Sequence, residues 1–179
     1  HQVPRKQKSS PPIPPPYTTL RRRGQKQPAH QAPPKDRLHE YRSLTSMEDK
    51  AKLLRSTVRK KGRFPEVRNL IEEACAQDEF VDLMYVDPLN GKPAKNAFHL
   101  AAWKGDLESV MLLVETSKVV CPELDLVNRV STGIGSYGKT PIFYALTQCR
   151  DDVVRYLLDK GGASLLIVNN KGQTPCSIA

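Results

Sequence analysis

The chain has 179 residues, of which 28 are Lys or Arg and 19 are Asp or Glu, so its formal net charge is +9. No stretch of about 18 apolar residues occurs, which excludes a membrane-spanning helix. The four cysteines are too widely spaced for a disulfide scaffold or a paired-cysteine zinc site. We therefore expect a reducing intracellular compartment, with no metal and no cofactor.

The positive charge is concentrated in residues 1–42, which hold ten basic residues, two acidic residues and nine of the 15 prolines. Residues 43–179 hold 18 basic and 17 acidic residues. Prolines remove backbone donors, and the arm has too few apolar residues to bury a core. The composition predicts an extended, irregular arm over residues 1–42, followed by a nearly neutral domain over residues 43–179.

The first interpretation of this arm is RNA contact, because its cations can pair with phosphates and its tyrosine can stack on a base. Arms of this composition on small globular domains resemble the extensions of ribosomal proteins. The residues expected to contact RNA are Arg5, Lys6, Lys8, Tyr17, Arg21, Arg22, Arg23, Lys26, Lys35, Arg37 and Arg42.

A second interpretation of the arm is a proline-rich protein ligand. Lys8 begins a basic-x-x-Pro-x-x-Pro pattern that ends at Pro14, which is typical of SH3 ligands. Residues 14–17 read Pro-Pro-Pro-Tyr, the form of a WW ligand. Short patterns of this kind arise easily in proline-rich tracts, so this alternative stays open beside a merely solvated tail.

The domain begins with a predicted helical hairpin. Ser46 and Asp49 are spaced as in a capping box, and apolar residues then recur at helical spacing up to a stop at Gly62. Pro65 suits the first turn of a second helix. The apolar residues of the two predicted helices are Met47, Ala51, Leu53, Leu54 and Val58, then Val67, Leu70, Ile71 and Ala74.

Three later segments share one pattern: residues 96–102 read NAFHLAA, residues 140–146 read TPIFYAL, and residues 174–179 read TPCSIA. Val110, Leu113 and Val114, and later Val154, Leu157 and Leu158, follow at the spacing of a second helix. This pattern resembles the ankyrin repeat, whose first helix opens T-P-L-H-x-A-A and whose second reads V-x-x-L-L.

The resemblance implies an all-α solenoid of stacked helical hairpins without intrinsic chemistry. Its units would be residues 47–86, 87–130, 131–168 and a truncated 169–179. The residues that would maintain the repeat structure are Asn96, His99, Gly105, Gly138, Thr140, Pro141, Gly172, Thr174 and Pro175.

Within that framework, the threonine hydroxyl is expected to cap its helix, and the proline fits the first turn. The resemblance implies that His99 bridges repeats by bonding to backbone, and Phe143 takes its place in the next unit. The spacing from Asn96 to Thr140 is 44 residues. The family repeats every 33, so about eleven extra residues lie between Thr116 and Tyr137.

Residues 133–140 also match G-x-x-x-x-G-K-[ST], the phosphate-binding loop of nucleotide hydrolases. Residues 138–141, however, form the Gly-x-Thr-Pro turn of a repeat, and residues 172–175 repeat that turn without a lysine. We therefore expect no nucleotide and no small-molecule substrate.

The expected protein-binding residues of the stack are Trp103, Lys104 and Tyr137, since exposed aromatic residues at variable repeat positions often bind a partner. Packing of Trp103 against a neighbouring loop is the alternative. The favoured function is a non-enzymatic component of a ribosome-like ribonucleoprotein, with a mitochondrial particle slightly favoured over the cytosol or nucleolus. The alternatives are an adaptor for SH3 or WW domains and the binding part of a longer enzyme.

Overall fold

The computed structural model describes residues 35–85, 95–133 and 135–178, which belong to one compact unit, Ala32–Ala179. Eight α-helices occur in these ranges. They are α1 (Lys35–Ser43), α2 (Met47–Val58), α3 (Phe64–Ala76), α4 (Phe80–Tyr85), α5 (Ala97–Lys104), α6 (Leu107–Val120), α7 (Pro141–Thr147) and α8 (Asp151–Tyr156). A π-helical turn, Leu157–Gly161, continues α8, and a 3₁₀ helix, Pro175–Ile178, follows.

The helices form hairpins that stack side by side. Helices α2 and α3, α5 and α6, and α7 and α8 are the three hairpin pairs. The first helices pack in the order α2, α5, α7, and the second helices pack in the order α3, α6, α8. This arrangement confirms the predicted all-α solenoid of stacked hairpins.

The most extensive contact in the stack joins α5 and α7. Ala101 and Ala102 of α5 and Ala145 of α7 are fully buried. Small side chains let two helix backbones approach closely, and close packing maximises dispersion contacts. The alanines of the repeat pattern therefore place successive first helices directly against each other.

The start of the described chain differs from the prediction. Residues 35–43 form α1, which packs against α3, whereas the composition predicted an extended arm up to residue 42. Tyr41 is fully buried, and its hydroxyl donates to Glu79 Oε2 at 2.9 Å. Burial of this ring explains why the compact unit begins before residue 43.

Two further contacts hold this end of the unit. Lys50 Nζ donates to both carboxylate oxygens of Glu79, at 2.5 and 2.8 Å. Arg42 donates to both oxygens of Glu73, at 2.9 and 2.6 Å. The Arg42 guanidinium lowers the pKa of the Glu73 carboxyl. Paired bonds of this kind fix orientation, so α1 has one defined position on α3.

The first hairpin matches its prediction in outline. Helix α2 begins at Met47 after an extended Ser46, and Pro65 lies in the first turn of α3. The Ser46 hydroxyl, however, makes no capping bond, so the predicted capping box is wrong. Gly62 follows α2 with a φ of 69°, which suits a residue without a Cβ.

Two packed segments had no counterpart in the predicted pattern. Helix α4 follows α3 and buries Phe80, Leu83 and Met84. The extra residues after position 116 extend α6 to Val120 and then bury Leu126 and Val127 in the core. The insertion is thus part of the folded unit.

Cys149 provides a test of backbone strain in the stack. It ends α7 with a φ of 50°, at the position where α5 ends with Gly105 at 75°. A non-glycine residue in this region costs about 1 kcal/mol or more. We expect Cys149→Gly to raise the free energy of unfolding by about 1 kcal/mol, measured by urea denaturation in reducing buffer.

The control is Cys149→Ala, which also removes the exposed thiol but keeps a Cβ in the left-handed backbone. The alanine variant should not gain stability. Equal stabilisation by alanine and glycine would show that the thiol, and not the backbone, is the source of the effect.

Candidate functional site

The centre of the stack contains a buried histidine that ties α5 to the long loop before α7. His99 Nε2 donates to the carbonyl oxygen of Arg129 at 2.9 Å, and Nδ1 accepts from the backbone N–H of Asn96 at 3.2 Å. Nδ1 also lies 2.6 Å from Asn96 Oδ1, so both ring nitrogens have polar contacts. His99 thus bonds to backbone, as the resemblance implied, and its acceptor lies within the inserted residues between Thr116 and Tyr137.

The environment of His99 disfavours its charged form. Burial lowers the pKa of the imidazole from 6.5 to about 4, and the bonds to backbone carbonyls only partly oppose this effect. Asn96 completes the arrangement, because its Oδ1 accepts from the His99 backbone N–H at 3.2 Å and caps α5. His99 is therefore neutral in the folded protein and has a structural role.

The next repeat lacks this arrangement. Phe143 occupies the position equivalent to His99, and the buried hydroxyl of Thr140 has no hydrogen-bond partner. The expectation that this hydroxyl caps α7 is wrong, because Thr140 makes no side-chain cap bond. The missing imidazole removes a polar group that could have met the hydroxyl.

The turn glycines and prolines occupy the positions that the repeat pattern requires. Gly138 and Gly172 have φ values of 62° and 72°. A Cβ at Gly138 would overlap the side-chain amide of Asn170. Pro141 lies in the first turn of α7, and Pro175 begins the 3₁₀ helix, where it is buried.

The phosphate-loop match at residues 133–140 has a different structural role. Lys139 and Ser131 form two bonds: the Ser131 N–H donates to the Lys139 carbonyl at 2.8 Å, and the Lys139 N–H donates to Ser131 Oγ at 3.1 Å. The hydroxyl of Thr140 is buried. The helix that follows has only seven residues. These groups form a repeat turn, and the geometry does not support nucleotide binding.

Trp103 lies at the end of α5 with 41% of its surface exposed. Lys104 Nζ is 5.7 Å from the centre of its ring. On the backbone side, Arg150 Nε donates to the Trp103 carbonyl at 3.5 Å. The indole is thus accessible, while its backbone is held by the following repeat.

Tyr137 lies in the loop before α7 with a φ of 60° and 45% of its surface exposed. Lys171, at the equivalent position of the next loop, has its Nζ 4.7 Å from the centre of the Tyr137 ring. The Asn170 N–H donates to the Tyr137 carbonyl at 2.8 Å. This bond joins the two loops and orients the tyrosine.

A third aromatic residue of the site, Tyr144, was not predicted from the repeat pattern. Its ring is nearly buried, and Lys95 and Lys139 lie over it, with Nζ atoms 4.9 and 5.9 Å from the ring centre. The edge of His99 meets it at 5.6 Å, and its hydroxyl donates to the Ser136 carbonyl at 3.3 Å. Both lysines directly precede a helix N-cap. A comparison of the repeats within the sequence could have used this shared position to predict that the two lysines lie close together.

The arm residues are mostly outside the described part of the chain. Arg37 pairs with Glu40 at 3.3 Å, and Arg42 with Glu73. Lys35 begins α1. The remaining residues expected to contact RNA lie outside the described residues: Arg5, Lys6, Lys8, Tyr17, Arg21, Arg22, Arg23 and Lys26.

Within residues 35–85, 95–133 and 135–178, no group of three or more His, Cys, Asp or Glu side chains could hold a metal ion. In the same ranges, no helix combines the length and apolar character that a bilayer-spanning segment needs.

The stacked hairpins, the glycine turns and the histidine bridge define a helical-repeat interaction module. The family model for ankyrin repeats matches residues 58–169 with three copies. The chain therefore belongs to the ankyrin-repeat family, which is typically a non-enzymatic module for protein interaction.

A solved structure with a similar fold is the crystal structure of the yeast ribosomal protein Rps3 in complex with its chaperone Yar1. The likeness is to Yar1, an ankyrin-repeat protein. The TM-score is 0.60 at 22% sequence identity, over 74% of this chain and 83% of that chain. No curated protein matches the sequence significantly.

The lowered pKa of His99 predicts a dependence of stability on pH. The folded pKa of about 4 lies below the unfolded value of 6.5, so the unfolded state binds a proton first. The contribution of the neutral ring is complete above pH 6.5 and is lost as the pH falls towards 4. We expect a loss of about 2 kcal/mol in unfolding free energy between pH 7 and pH 5, measured by urea denaturation.

His99→Gln should be less stable at pH 7 and should lack this loss. His39→Gln, at an exposed position of α1, is the matched control and should behave as the wild type. An undiminished loss of stability in His99→Gln would assign the pH dependence to other groups.

Proposed function

We propose that the chain is a protein-binding adaptor in a large ribonucleoprotein, in which the ankyrin stack binds a protein neighbour and the basic arm contacts RNA. The observation that carries the first part is the accessibility of Trp103 and Tyr137 on a rigid backbone. Binding energy at protein interfaces concentrates in a few such aromatic residues.

The rigidity of these residues matters as much as their exposure. The Trp103 carbonyl accepts from Arg150, and the Tyr137 carbonyl accepts from Asn170. Each aromatic backbone is therefore bonded to a later segment of the chain. A residue that is already oriented loses less entropy on binding, so more of its contact energy contributes to affinity.

The fold of Yar1 supports a protein as the partner, because its crystal structure is a complex with a ribosomal protein. The arm supports the ribonucleoprotein part, because residues 1–34 carry seven basic and no acidic residues. A cationic segment gains affinity for nucleic acid by releasing counterions from phosphates.

The role of the stack is tested with the double variant Trp103→Ala/Tyr137→Ala. Both side chains are exposed, so the fold should persist. We expect at least about a tenfold weaker affinity for the protein that co-purifies with the wild-type chain. The measurement is quantitative mass spectrometry of purified complexes, followed by titration with the isolated partner.

The matched control is Val119→Ala/Leu166→Ala, which shortens two apolar side chains that are 82% and 85% exposed. This variant should retain the partner. Full retention by Trp103→Ala/Tyr137→Ala would refute the proposed binding surface.

The role of the arm is tested by deleting residues 1–34, which leaves α1 and its bonds to Glu79 and Glu73 intact. We expect weaker binding to a fluorescent mixed-sequence RNA oligonucleotide. The slope of log affinity against log salt concentration is negative, and its magnitude should decrease by up to about 5, since seven cations are lost.

Pro11→Ala/Pro14→Ala is the control, because it destroys the SH3 and WW patterns and keeps Tyr17 and every basic residue. It should leave both the RNA affinity and the salt slope nearly unchanged. If deletion of the arm changes neither quantity, the arm does not contact RNA.

A further inference from the structure

Two lysines from different repeats meet over the ring of Tyr144, and a third basic residue lies close to one of them. We name Arg59, Lys95, Lys139 and Tyr144 the tyrosine–lysine cluster. Lys95 and Lys139 lie over the ring, and Arg59, which follows α2, is close enough to act on the charge of Lys95. Each basic residue belongs to a different repeat unit, so the cluster exists only because the hairpins stack.

The cluster has no acidic partner among the described residues. The ion pairs found there use Arg37, Arg42, Lys50 and Arg63, and none uses a member of the cluster. Burial lowers the pKa of Lys95, and the charges of Arg59 and Lys139 lower it further. Like charges held together without a counter-charge repel each other, and an anionic occupant would relieve that repulsion.

The basic surface continues into the next loop. The Tyr144 hydroxyl donates to the carbonyl of Ser136, and the adjacent Tyr137 lies under Lys171. The bond from Asn170 to Tyr137 joins that loop to the one before. Lys95 and Lys139 directly precede the N-caps of α5 and α7, and Lys171 lies in the following loop over Tyr137. We call these three lysines, which lie over two tyrosines, the row.

We propose that this row, from Lys95 through Lys139 to Lys171, binds an acidic segment of a protein partner through its carboxylates. The inference rests on the proposed function and names the chemistry of the partner. Charge complementarity selects the occupant, since opposed charges across an interface speed encounter and exclude partners of like charge. The extent of the row over three loops requires a segment with several carboxylates.

Two other occupants fit less well. Residues 1–34 of the chain's own arm carry seven basic and no acidic residues, so the row repels them. Single-stranded RNA is recognised largely by stacking of bases on accessible rings. Tyr144 is only 6% exposed and lies under two lysines, so Tyr137 is the single ring of the row with accessible surface, whereas the three lysines all carry charge for carboxylates.

The probe is a fluorescent peptide of twelve glutamates, titrated into the full chain at fixed salt. Lys95→Gln/Lys139→Gln removes two charges from the row. Lys52→Gln/Arg155→Gln removes two charges from exposed positions outside it and is the matched control. We expect about a tenfold loss of peptide affinity in the first variant and less than a twofold loss in the second.

Equal losses in the two variants would overturn the inference, because they would indicate unspecific attraction by net charge. A larger dependence on Lys95 and Lys139 for a mixed-sequence RNA oligonucleotide of the same charge would also overturn it and would assign the row to RNA. Circular dichroism and urea denaturation of both variants verify that each remains folded.

This outcome is separable from that of the proposed function. If the glutamate peptide does not depend on the lysines while partner capture still depends on Trp103 and Tyr137, the adaptor function stands and the acidic partner is wrong. If capture is independent of Trp103 and Tyr137, the proposed binding surface itself is wrong.

Discussion

The contact between α5 and α7 is the constraint on which the other features of this ankyrin stack depend. A helical hairpin cannot bury its apolar face alone, so each repeat is stable only against its neighbours. Fully buried alanines allow the two helices to approach, and neutral His99 ties α5 to the loop before α7 by bonding to the carbonyl of Arg129. Because α5 and α7 pack together, Lys95 and Lys139 come to lie over the same ring of Tyr144.

One end of the stack shows how the charged arm connects to a neutral domain. Helix α1 buries Tyr41 and pairs Arg42 with Glu73, while Lys50 neutralises Glu79 beside the tyrosine hydroxyl. The acidic residues of the domain thus hold the last residues of the basic segment. The two functions that we propose, RNA contact and protein contact, consequently belong to separate parts of one chain, and each can be removed by itself.

The repeat motif was sufficient to predict the stacked hairpins, because each motif residue has a local physical role. Other features arise from contacts that no local pattern contains. Helix α1 was missed because the contacts of Tyr41 are distant in sequence, such as the bond of its hydroxyl to Glu79, 38 residues away. The buried Thr140 hydroxyl lacks a partner although the motif predicts a cap there. The cluster around Tyr144 joins lysines that are 44 residues apart in sequence, and their shared position before a helix N-cap is its one local signal.

The central claim is that the loops before the first helices of the stack receive a protein partner. Amide hydrogen exchange of the full chain, measured with and without the co-purifying protein, tests it most directly. We expect slower amide exchange in the bound state at residues 95–97, 136–141 and 170–172. Protection confined to the second helices α6 and α8, with unchanged exchange in these loops, would contradict it.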